Sequence, residues 1–81
     1  MNQTEAHDAL RRALAQVAPE GDLDDVRPDD RFRDALDIDS LDFLALVDRL
    51  HAATGIDIPE SDYGRVDTVG DMCDYLVAHS A

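Results

Sequence analysis

Apolar residues recur along the chain with a helical period. Ala6, Leu10, Ala13, Leu14 and Val17 fall on one helical face, which predicts a first helix capped by Thr4 and ended by Pro19 and Gly21. Residues 20–39 then form a long acidic segment with Pro28 inside it and few apolar positions, among which Phe32 and Leu36 are expected to pin it to the core as a short turn of helix. A second helix is predicted from Ser40 to about Ala53, with Gly55 as its stop. Ile56, Ile58 and Pro59 lead into residues 60–66, which hold at most a turn or two of helix. Thr68 with Asp71 resembles a capping box, and Val69, Met72, Cys73, Leu76 and Val77 supply the apolar stripe of a last helix. The pattern predicts an all-α fold, a bundle of three main helices and one short helix with a long loop after the first. Its span is one domain over residues 1–81, with no strand pattern and no repeat.

The second helix carries two apolar faces. Stepping about 100° per residue puts Phe43, Leu46, Val47 and Leu50 on one stripe suited to a core. Leu41 and Leu44 fall on the other side, beside Ala45, Asp48 and Ala52. Two leucines on an outward face are explained either by a docking patch rimmed by Asp42 and Asp48 or by the long loop folding over them.

Composition narrows the partners. With 19 acidic and 7 basic residues the chain carries a formal charge of −12, and every base is arginine. Such a surface repels phosphate backbones and anionic lipid, so neither nucleic acid nor membrane is an expected partner, whereas basic patches on other proteins are. Solubility alone also accounts for an acidic surface. With no Trp, two Phe and two Tyr, the core rests on Leu, Val, Ile and Ala. Cys73 is the single cysteine, so no internal disulfide forms. Residues 1–8 show no signal-peptide pattern and no run reaches the roughly 20 apolar residues of a membrane span, so a cytoplasmic protein is expected.

Asp39 is a good N-cap for the second helix, and Asp42 follows at its third position, where the dipole favours an anion. Ser40 then stands at the first helical position with its hydroxyl free of capping. A phosphate ester there would lie near unpaired amides at the positive end of the helix. An ordinary helix start has the same sequence.

The string Leu36-Asp37-Ile38-Asp39-Ser40-Leu41-Asp42-Phe43 resembles the attachment motif of acyl carrier proteins. Downstream, Gly55-Ile56-Asp57-Ile58-Pro59-Glu60 resembles the family's exit from its second helix, Val66-Asp67-Thr68-Val69 its approach to the last helix and Asp74-Tyr75-Leu76 its close. Order and spacing agree without a gap from about Phe32 to Val77, with a looser fit before that. The resemblance implies a four-helix bundle that carries 4′-phosphopantetheine on Ser40. A phosphopantetheinyl transferase would donate the arm from coenzyme A, using Mg²⁺ contacted by the aspartate at the Asp39 position. The arm's thiol would hold an acyl group as a thioester and present it to acyl-loading and acyl-transfer enzymes with basic docking patches, at high effective concentration. The carrier itself would be a monomer, would bind no metal of its own and would not be an enzyme. By the same resemblance Leu41, Leu44 and Val66 match a docking surface, with Asp42, Glu60 and Asp62 as its acidic rim. Phe43, Leu46, Val47, Leu50 and Ile58 would line the core.

The chain departs from carriers of primary fatty acid synthesis in the second helix, where Ala45, His51 and Ala52 replace expected glutamates and Asp48 replaces an apolar residue. This implies a dedicated pathway with a polyketide, modified lipid or aminoacyl cargo. The alternative is an unmodified carrier-like acidic interaction module. His7, His51 and His79 lie far apart without ligand spacing, residues 22–25 lack the pattern of a calcium loop, and Ser40 has no histidine partner fixed in sequence, so metal, acid–base and hydrolase chemistry are not expected.

Overall fold

A side-chain oxygen closes the start of each of the three long helices. In the computed structural model, which describes residues 1–80, helix α1 spans Gln3–Val17, α2 Phe32–Leu36, α3 Ser40–Thr54 and α4 Val69–His79. Short 3₁₀ segments occupy Leu23–Asp25 and Glu60–Arg65. The cap of α1 is Asn2 rather than the expected Thr4. Asn2 accepts the Glu5 amide at 2.8 Å while Glu5 accepts the Asn2 amide at 3.0 Å, satisfying two otherwise unpaired N–H groups. Thr68 caps α4 by accepting the Asp71 amide at 3.1 Å. Gly55 ends α3 with φ 75°, a left-handed conformation that glycine enters without a Cβ clash.

Each helix turns its apolar stripe to one shared core. Ala6, Leu10, Ala13 and Leu14 come from α1, Phe43, Leu46, Val47 and Leu50 from α3, and Val69, Met72, Cys73 and Leu76 from α4. Helix α1 packs against both α3 and α4, and the Glu60–Arg65 turn lies on α4. No helix is long and apolar enough to cross a membrane, among the described residues.

The long segment between α1 and α3 is held by side chains and by backbone. Leu23, Phe32 and Ile38 insert into the core, and the Phe32 ring meets Phe43 at 6.1 Å between centroids. The backbone then joins the start of α4, through Phe32 N–H to the Asp67 carbonyl at 3.1 Å and Gly70 N–H to the Pro28 carbonyl at 2.8 Å. A Cβ at Gly70 would stand 2.9 Å from that same Pro28 oxygen. Gly70→Ala therefore sets a helix-propensity gain of about 1 kcal/mol against an overpacking cost of about 1–3 kcal/mol. We expect a net loss of stability, read as a lower urea midpoint; an unchanged or higher midpoint would mean that the loop yields freely at Pro28.

Candidate functional site: the head of helix α3

The turn before α3 sets the site. Asp37 ends α2 in the left-handed region with φ 52°, which swings the chain so that buried Ile38 anchors it and α3 begins two residues later. Asp39 caps α3, its Oδ1 accepting the Asp42 amide at 2.9 Å, and Asp42 Oδ2 reaches back to the Asp39 amide at 3.5 Å. The two aspartates are thus engaged with each other's backbone. Ser40 is the first residue of the helix and is exposed. Its hydroxyl takes no part in capping, and the amides of Ser40 and Leu41 have no protein acceptor among the described residues.

One neighbour of Ser40 was not singled out by the sequence. Arg33 Nη2 donates to Ser40 Oγ at 3.3 Å, a long bond that leaves the oxygen accessible. The residues lie seven apart, and only the left-handed turn at Asp37 brings them together. Beside Arg33 a cleft of about 330 Å³ opens between α2 and the Glu60–Arg65 turn, lined by Arg31, Arg33, Asp34, Phe43, Tyr63 and Asp67. The Phe43 and Tyr63 rings meet edge to face at 5.5 Å.

The outward face of α3 is open. Leu41 is 75% exposed and Leu44 44% exposed, so the long loop does not cover them. Asp48 is exposed further along the helix and Asp42 half-buried at its start. Leu44→Arg is expected to leave the unfolding free energy from urea denaturation within about 0.5 kcal/mol of wild type, since the side chain is outside the core. Unfolding of that variant would contradict the two-faced reading of α3.

The remaining candidates divide. Glu60 is exposed at the start of its 3₁₀ turn. Asp62 is half-buried and accepts the Tyr75 hydroxyl at 2.8 Å, so its carboxylate ties that turn to α4. Burial first, and then this bond to Asp62, push the Tyr75 phenol above its ordinary pKa. Val66 needs correction. Expected on the docking surface, it is fully buried, because the end of the 3₁₀ turn folds it inward under the cap bond from its own N–H to the Tyr63 carbonyl. Cys73 is also buried, and desolvation followed by the neighbouring Asp74 charge pushes its thiol up, away from reactivity.

An exposed serine at the head of a helix, with free amides and a guanidinium beside it, is suited to bearing a phosphate ester. Comparison with known proteins points the same way. Residues 8–76 match the family described as phosphopantetheine attachment site. The chain is 38% identical over 58 residues to the acyl carrier protein of Rubrobacter xylanophilus, covering 72% of each chain. Identity, length and coverage are the same for the acyl carrier protein of Lactobacillus johnsonii. The structure superposes on that of the acyl carrier protein from Enterococcus faecalis with a TM-score of 0.75 and 26% identity, over 99% of this chain and 100% of the other. The chain belongs to the acyl carrier protein family. Its cofactor is a covalent 4′-phosphopantetheine arm and its role is that of a carrier rather than an enzyme; membership of the family implies a phosphopantetheinyl transferase and acyl-transfer enzymes as partners.

Proposed function

We propose that Ser40 is the residue that carries the arm, and that the chain serves a dedicated pathway with a polyketide, modified lipid or aminoacyl cargo. The observation that carries the first part is the exposed Ser40 hydroxyl at the first position of α3, relieved of capping by Asp39. In the transfer step Ser40 Oγ bonds to the pantetheine-side phosphorus of coenzyme A. The bond from that phosphorus to 3′,5′-ADP breaks, and the hydroxyl proton passes to a base on the transferase. Asp39 has one carboxylate oxygen on the Asp42 amide, and its second would be available to hold the Mg²⁺ that would neutralise charge on the diphosphate. The unpaired amides of Ser40 and Leu41 face the incoming negative charge at the positive end of the helix. Once attached, the arm supplies a terminal thiol for thioester exchange, so the buried Cys73 is not needed.

Leu41 and Leu44, flanked by Asp42, Asp48 and Glu60, form the surface that presents the cargo to partner enzymes with basic patches. The case for a dedicated pathway rests on the same helix, where Ala45, His51 and Ala52 leave Asp48 as the acid in the middle of the outward face. Incubation with coenzyme A, Mg²⁺ and a broad-specificity transferase is expected to add the mass of one phosphopantetheine to the intact protein. No gain would favour an unmodified docking module.

A further inference from the structure

Resting on the reading of Ser40 as the attachment point, we infer that Arg33 is a positioning residue that pairs with the phosphodiester on Ser40 and holds the root of the arm beside the cleft between α2 and the Glu60–Arg65 turn. Arg33 is exposed and forms no ion pair among the described residues; its one polar partner is Ser40 Oγ at 3.3 Å. The neighbouring Arg31 is already committed, with its Nε 3.3 Å from Asp67 Oδ2. An unpaired cation within reach of a hydroxyl gains a far better acceptor when that oxygen is esterified. The anionic oxygens of a phosphodiester lie two bonds beyond Oγ, through the phosphorus, within reach of the guanidinium, whose planar fork matches their geometry.

The surroundings favour this pairing. Asp37, Asp39 and Asp42 crowd the same end of α3, so an added phosphodiester charge is repelled from their side. Neither Asp39 nor Asp42 forms an ion pair with Arg33 among the described residues, and each has one carboxylate oxygen on the other's amide. Arg33 is therefore the cation that faces the ester, and it lines the cleft with Phe43 and Tyr63, where Asp67 is paired with Arg31 and Asp34 is the remaining carboxylate. Pairing there biases the arm's first atoms toward the aromatic cleft and away from the outward leucines. The arm then leaves the Leu41–Leu44 patch clear for a partner.

The test uses arm-bearing wild type, Arg33→Gln and Arg33→Lys, with intact mass reporting one arm on each. In wild type at low salt, loading is expected to shift the Arg33 side-chain Nε–H resonance more than those of the other six arginines. The transverse relaxation rate of the ³¹P nucleus is expected to fall about twofold in Arg33→Gln, in keeping with an exposed pair, and to be intermediate in Arg33→Lys. At about 1 M salt, where the Debye length is about 3 Å, the three proteins should coincide. A loaded wild type whose Arg33 resonance does not move overturns the pairing, and so does equal relaxation in wild type and Arg33→Gln. If Arg33→Gln accepts the arm poorly, the wild-type shift decides alone. A wild type that gains no arm overturns the attachment reading itself, an outcome the mass distinguishes from the other two.

Discussion

Replacing Ser40 with alanine will abolish arm attachment while leaving the helical circular dichroism and urea midpoint close to wild type. The side chain is exposed, and α3 is capped by Asp39 and Asp42, both untouched by the change. Alanine is a strong helix former at a first helical position, so the stability change stays within about 0.5 kcal/mol. The chemical effect is all or nothing, because the transferred phosphorus has lost its acceptor. The other two serines do not replace it: Ser61 lies within a 3₁₀ turn, and Ser80 Oγ is bonded to the Val77 carbonyl at 2.9 Å. Intact mass after transferase treatment reads the result, and a full mass gain in Ser40→Ala would remove Ser40 from the site.

Phe32→Ala is expected to cause the largest loss of stability among the substitutions considered. Phe32 is fully buried, packs its ring against Phe43 and belongs to the segment whose other anchors are Leu23 and Ile38. Truncating a buried phenylalanine costs about 3–5 kcal/mol, while a domain of this size holds only about 4–12 kcal/mol in total. The site should suffer as well, since Arg33 and the turn at Asp37 hang from the same short helix. Urea denaturation of the variant checks the magnitude. A loss below about 1 kcal/mol would mean that the loop is not pinned through Phe32.

The regular parts of the fold were legible because periodicity, caps and stops agreed. All four residues of the α3 core stripe are buried, and Gly55 ends that helix in the expected left-handed turn. The outward leucines follow from the same 100° arithmetic, and their exposure excludes the covered face. Local errors have local causes. Thr4 and Asn2 are both capping residues, but only Asn2 has a glutamate three positions on, a signal present in the sequence. The anchoring of the long loop by Leu23 and Ile38 was not legible, because isolated apolar residues in an acidic stretch carry no period. Val66 rests on resemblance alone. A resemblance gives position in a motif but not the rotation of a 3₁₀ turn, which buries Val66 and directs Asp62 to Tyr75. Tyr75 itself lies beside the predicted stripe of α4 and is buried because that turn packs over it. The Arg33–Ser40 contact depends on one positive φ at Asp37, which composition and spacing do not encode.

The most direct measurement is the location of the arm. Trypsin cleaves after Arg33 and Arg49, releasing residues 34–49, a peptide in which Ser40 is the only hydroxyl-bearing side chain. After treatment of the wild type with coenzyme A, Mg²⁺ and a transferase, this peptide should carry one phosphopantetheine, with fragment ions placing it on Ser40. An arm found on a peptide containing Ser61 or Ser80, or on none, would contradict the account.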